Sequence, residues 1–480
     1  MRVSKYFNLG RTQASLDFVD VDIRNDIKLY IDPYSFELIN SSFSSKCKFL
    51  IRNYFDTLLT YIKNGEIDKA KHLLIHLREP NETHLGLSKG KSRGRGLGPY
   101  LATKVLSTLQ NSKAVNSGLL QNIEETALII EGVSYDIISD IVTNIIRDEL
   151  ITYTNNMCNI YNIKLQDNIA SGPIWDYQRK KWISKYVSLP IANNMPLLLI
   201  PKSIVRKKAN YDIDEYYQHY ILDFLRVKEF QANSNLIELL KNGKRRITKD
   251  SLKAKYGTDK KNVCIRETLN NPQVLNDYRK RKKEKISTTL EHEEFAIIES
   301  TPNINYQRIL SELFAIPTGA ISANDYENKV EELISAIFSP DLAYPEIQHE
   351  IHEGRKRIDI TYVNMGREET FFSWLSVNYP APHIFIECKN YSVDLKNPEF
   401  DQLAGRFSPS RGKVGFLICR KNEKPDIALE RCKDTAHDDR GFIIILEDSD
   451  FKELVDIRQS MDYKKRMFSF FKKKFDSLIM

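Results

Sequence analysis

The 480-residue chain contains no run of about 18 uninterrupted apolar residues, the minimum for a membrane-spanning helix. Its opening, MRVSKYFNLGRTQ, has no apolar segment long enough for a signal peptide. The expectation is a cytoplasmic protein with no membrane partner. Cysteine is scarce and scattered: Cys47, Cys158, Cys264, Cys388, Cys419 and Cys432 show neither CxxC nor CxxH spacing, so neither a zinc site nor a disulfide framework is indicated. A phosphate-cradling P-loop is also missing. Gly90-Lys91-Ser92 has the right ending, but Gly86 stands one residue too close to it. There are no internal repeats and no low-complexity tracts.

An apolar fraction of 41% with 10% aromatics marks a folded chain rather than a disordered one. At roughly 100–200 residues per domain, the length suggests three units. Residues 1–165 read as an α-rich domain with a small sheet. Short alternating strands are expected at Ala14–Val21 and Lys28–Pro33, then helices over 49–63, 68–78, 101–110 and 121–155, with a glycine-rich basic loop at 84–100. Residues 166–320 form a central basic region and a connector broken by Pro302, Pro317 and Gly319. Residues 321–480 alternate helix and strand, which predicts the α/β class: a mixed sheet flanked by helices.

Overall charge is mild, with 71 Lys/Arg against 64 Asp/Glu. It is concentrated in one place. Between Lys241 and Lys285 stand 16 Lys/Arg against 5 Asp/Glu, an excess larger than the +7 of the whole chain. Lys244, Arg245, Arg246, Arg279, Lys280 and Arg281 are therefore candidates for contacting nucleic-acid phosphates, against the plainer reading of a solvated helix face. Lys89, Lys91, Arg93 and Arg95 in the glycine-rich loop are candidates for the same reason, because small neighbours permit close approach to a backbone.

The residues that point to chemistry lie in the last third. A helix is expected from Tyr326 to Phe338, carrying Glu327 and Glu331 one turn apart. Arg357-Ile358-Asp359-Ile360 reads as a strand, and His383–Lys389 as a nearly continuous apolar strand ending Glu387-Cys388-Lys389. Period two places Glu387 and Lys389 on one face and Cys388 on the other. Two carboxylates on neighbouring strands suit a hard cation such as Mg²⁺ or Mn²⁺, and the lysine beside them can orient a water or offset developing charge. A structural salt bridge is the plainer alternative, since buried charges must be paired. His349 and His352 beside Glu346, Glu350 and Glu353 read as a polar strand edge. Phe371–Leu375, within the 27 residues separating Asp359 from Glu387, reads as core packing in an extra strand or a lid.

The order of these elements, with Asp325-Tyr326-Glu327, Asp359, Glu387-Cys388-Lys389-Asn390 and Gln402-Leu403-Ala404-Gly405, resembles the PD-(D/E)XK nuclease superfamily, particularly its Mrr-like restriction endonuclease branch. The likeness covers about a quarter of the chain, and the family's eponymous proline is absent before Asp359. It implies a metal-dependent endodeoxyribonuclease. Asp359 and Glu387 would be metal ligands, Lys389 would position the attacking water, Glu327 would be a further ligand or ligand support, and Gln402 a support near the metal or phosphate. By the same analogy the partners are DNA, a second copy of the chain and a defence-system protein, in restriction or anti-phage defence. Rival readings are a nucleic-acid-binding or sensor module with a degenerate nuclease fold, and a repair or junction-resolving nuclease.

Overall fold

The computed structural model describes residues 1–86, 99–111, 120, 122–130, 133–208, 210–284, 289–351, 356–379, 381–391 and 393–480. Lys89, Lys91, Arg93, Arg95 and His352 lie outside the described residues, as does the side chain of His349.

Two apolar cores organise the chain. The first gathers buried residues from Val3 to Phe295 together with Ala343, Tyr344 and Val363 of the later sheet, and the second gathers the others between Tyr306 and Leu478. The expected division at 165/166 has no counterpart in this packing, because Ile163 and Trp175, on opposite sides of it, belong to the same cluster. The connector also ends earlier than its breakers suggest. Helix Tyr306–Phe314 already buries Tyr306, Ile309, Leu310 and Leu313 in the second core.

In the first core, helix Ser42–Lys63 is capped by Ser41, whose side chain accepts from the Ser44 N–H, and it buries Cys47, Leu50, Tyr54, Leu58 and Ile62 at helical spacing. The expected strand at 14–21 does not form. Side chains satisfy its backbone instead of a ladder: Gln13 donates to the Phe18 carbonyl at 2.8 Å and accepts from the Asp20 N–H. Phe18 makes only an isolated bridge to Pro201, and the strand at 28–33 shrinks to Tyr30–Ile31 paired with Val205–Arg206. The stretch 121–155 is broken into short helices, among them Tyr135–Ile145 and the start of Arg147–Ile160.

The second core is built on a five-stranded mixed sheet of β1 (Leu342–Ile351), β2 (Lys356–Asn364), β3 (His383–Lys389), β4 (Val414–Cys419) and β5 (Phe442–Glu447), in that spatial order. The first three strands are antiparallel and the last three parallel. Helices α1 (Ala323–Phe338), α2 (Phe371–Asn378), α3 (Asn397–Ala404), α4 (Pro425–His437), α5 (Asp448–Arg458) and α6 (Tyr463–Ile479) flank it, so the α/β class holds. Phe371–Leu375 is helix rather than strand, and it does pack in the core, as Phe371 and Phe372 are both 1% exposed. The basic α6 turns Phe471 and Phe475 inward against Phe416 and the edge-strand residue Phe442. Among the described residues no helix is long and apolar enough to cross a membrane.

The two cores are joined by the Tyr344 ring, which packs against Phe43 and Tyr153, and by polar groups. Arg11 pairs with Glu331 of α1, which is fully buried, and also donates to the Asn328 carbonyl. From β1, the Tyr344 N–H donates to Asp17 at 2.9 Å, and its hydroxyl lies 2.7 Å from that of Ser203.

Much of the basic block is also internal. Arg279, a surface candidate by sequence, is buried and grips the fully buried Glu125 through two hydrogen bonds of 2.6 and 2.7 Å, so its guanidinium is not presented to a nucleic acid. Replacement by alanine would take both of these charged hydrogen bonds from the buried Glu125. Arg279→Ala is expected to lower unfolding free energy by about 3–5 kcal/mol in urea titrations. An unchanged midpoint would contradict this structural role.

Candidate active site

The register of β2 and β3 creates the site. Ile360 faces Ile386 in an antiparallel pair, so the next step along each strand sets Asp359 across from Glu387. The Cys388 N–H donates to Asp359 Oδ2 at 2.8 Å, tying the carboxylate to the end of β3. Lys389, on the same face as Glu387, donates to Glu387 Oε1 at 2.8 Å and to Gln402 Oε1 at 3.5 Å. Gln402 comes from α3 and donates its amide to the same Glu387 oxygen. The structure thus brings together Asp359, Glu387, Lys389 and Gln402, and α1 contributes Glu327 to their field.

The electrostatics are those of crowded acids in a dry place. Burial, then the neighbouring Asp359, push the Glu387 carboxyl up to about 7 against the pull of Lys389. Glu327 is pushed up to about 7 by burial and then by Asp359. Asp359 is raised by burial, opposed by the Cys388 N–H and by Lys389.

Two participants were not singled out by sequence. Gln348 on β1 donates to both oxygens of Glu327, at 2.8 and 3.0 Å. It does so from a left-handed backbone conformation, φ +52°, a few residues beyond a register shift between Ala343 and Glu346. No sequence signal marks a glutamine for that conformation. Arg406, just past α3, lowers the proton affinity of both Asp359 and Glu387, and its Nε is buried without a hydrogen-bond partner. Its signal was its position, one helical turn after Gln402.

Among the described residues no group of three or more His, Cys, Asp or Glu side chains is gathered tightly enough to hold a metal by itself. The donor set nevertheless fits a hard divalent cation. Glu387 Oε2 is buried with no hydrogen-bond partner, and Asp359 stands opposite, which matches the few carboxylate ligands that Mg²⁺ takes while keeping several waters. The exposed cations Lys244, Arg245, Arg246, Lys280 and Arg281 belong to the first core and are not part of this cluster.

A family model described as a domain of unknown function (DUF8370) matches residues 8–212, a segment of the first core that includes none of the site residues. No curated protein and no solved structure matches the chain.

A pH dependence follows. The ordinary glutamate value is 4.5 and the folded value about 7, so proton uptake stabilises the fold. That contribution is complete below about 4.5 and is lost as pH rises through about 7. In chelator at pH 8, Glu387→Gln, which cannot ionise, is expected to exceed the wild type in stability by about 1–3 kcal/mol, with the gap shrinking at pH 5. Denaturant titrations at the two pH values measure it, and a gap that is larger at pH 5 would refute the assignment.

Proposed function

We propose that the chain is a metal-dependent endonuclease that hydrolyses phosphodiester bonds of DNA through the cluster at the ends of β2 and β3. The observation that carries this reading is the convergence of Asp359, Glu387 and Lys389 in one desolvated corner, with Glu387 raised to about 7. Perturbed acids paired with a specific cation are a mark of functional sites. A bound Mg²⁺ or Mn²⁺ would supply charge neutralisation of the carboxylates, polarisation of the phosphate and acidification of a water. Asp359 and Glu387 would hold it.

The chain's own groups have separate tasks. Lys389, already directed at Glu387 Oε1, would fix the attacking water and offset negative charge as the water oxygen, giving up a proton, bonds to phosphorus and the ester oxygen departs. Gln402 restrains both the lysine and the glutamate. Glu327 lies where it can take up or release a proton near neutral pH, steadied by Gln348. A role in restriction or anti-phage defence belongs to the same proposal and is supported only by the likeness of the motifs.

A second reading has one observation in its favour. Lys389 already pairs with Glu387, as in a structural ion pair of an inert nuclease fold serving as a binding or sensing module.

Plasmid DNA incubated with the purified chain and Mg²⁺ or Mn²⁺ separates the two. Nicking is expected to fall by about 100-fold or more in both Asp359→Ala and Lys389→Ala. It should also increase from pH 6 to pH 8 as Glu387 loses its proton. Nicking that survives both substitutions, or none on duplex and single-stranded substrates, removes the catalytic reading.

A further inference from the structure

Two helices of the basic block pack on a helical stretch that precedes it. The stretch 213–231 consists of Ile213–Tyr216, a wider turn at Tyr217–Ile221 and Leu222–Gln231, and it touches both Lys249–Tyr256 and Lys260–Asn270. The last two helices are separated only by Gly257, Thr258 and Asp259. Gly257 sits at φ +110°, which a side chain would strain, and Asp259 caps the second helix by accepting from the Asn262 N–H at 3.0 Å. Two helices joined by so short a glycine-bearing turn, braced by a third, form the unit that places its second helix in the major groove of duplex DNA.

The faces of Lys260–Asn270 are distributed accordingly. Val263, Cys264, Glu267 and Thr268 are buried, and Thr268 is fixed by a 2.8 Å contact with the Tyr216 hydroxyl. Asn262, Arg266 and Asn270, four residues apart, are exposed in one polar stripe. Arg266 is steadied by donating to the Tyr256 carbonyl and to Glu267, both at 2.8 Å, which leaves other guanidinium donors free. Exposed Lys244, Arg245 and Arg246 occupy a hairpin just before the unit, and exposed Lys280 and Arg281 lie on the helix just after it.

We propose that helix Lys260–Asn270 enters the major groove of duplex DNA and reads base edges through Asn262, Arg266 and Asn270, while the flanking cations hold phosphates. The amide side chains match the donor and acceptor edge of adenine, and the guanidinium matches the paired acceptors of guanine. The local excess of positive charge suits a phosphate backbone, and a polar stripe suits base edges better than an apolar protein surface. This rests on duplex DNA being the substrate, as in the reading above, but it does not require cleavage.

Binding of the full chain is therefore measured in EDTA. A pool of randomised duplexes is passed over the protein, the bound fraction is sequenced, and affinities follow by fluorescence anisotropy at several salt concentrations. Enrichment of a short motif is expected. The double variant Asn262→Ala/Arg266→Ala should lose about ten-fold or more affinity for the selected duplex and little for an unrelated one. Lys244→Ala/Arg245→Ala/Arg246→Ala should weaken both alike and flatten the salt dependence. Circular dichroism checks that the variants fold. If the double variant does not, Asn270→Ala alone must change the enriched motif. Absence of any enrichment, or the same motif selected by variants that fold, overturns the proposal. Loss of nicking with selective binding intact would count against the nuclease reading alone.

Discussion

Three carboxyl groups converging where water is largely excluded set the terms for the C-terminal half. Glu327, Asp359 and Glu387 bring three negative charges when ionised, and Lys389 and Arg406 supply only two positive ones. The strands deliver two of them because antiparallel register leaves no alternative once Ile360 and Ile386 are paired in the core. Hydrophobic packing of β3 thus pushes an acid into a place it would otherwise avoid, and the cost is met by Lys389, Gln402 and bound protons. On the proposed reading, such a corner would exchange protons for a doubly charged ion.

The basic block shows a different use of charge. Arg279 is spent on Glu125, Lys255 on Glu229 and Lys282 on Glu215, so part of the local excess is consumed in holding helices to one another. What remains at the surface is a narrower set on the hairpin and beside the polar stripe. A run of cations in a sequence is therefore more than one population: Arg279 and Lys282 are buried in ion pairs, whereas Lys255 and Arg246 are paired at the surface.

The site was largely legible in the sequence because strands impose period two: Glu387 and Lys389 had to share a face, and an apolar run ending in charge had to end at a partner. Gln402 came from the order of elements. Gln348 and Arg406 were not legible, since a register shift and a left-handed glutamine depend on how β1 meets the first core through Tyr344. The same limit explains the missing strand at 14–21, whose backbone divides its hydrogen bonds between the Gln13 side chain and scattered partners such as Ile200 and Lys202 instead of one ladder. The division of the first core at 165/166 failed because changes in composition do not mark where packing stops.

The pairing of Arg11 with Glu331 bears on how the protein can be dissected. The change from one apolar core to the other between Ile298 and Ile304 invites separation of the two halves, yet such a cut would remove Arg11, the cation paired among the described residues with a fully buried acid one helical turn from Glu327. It would also take Asp17 and Ser203 from Tyr344, on the strand that carries Gln348. An isolated C-terminal fragment would thus be a poor surrogate for the intact chain. Modularity in this chain is limited by a seam that is partly apolar, through Tyr344 and Val363, and partly polar, through Arg11 and Asp17.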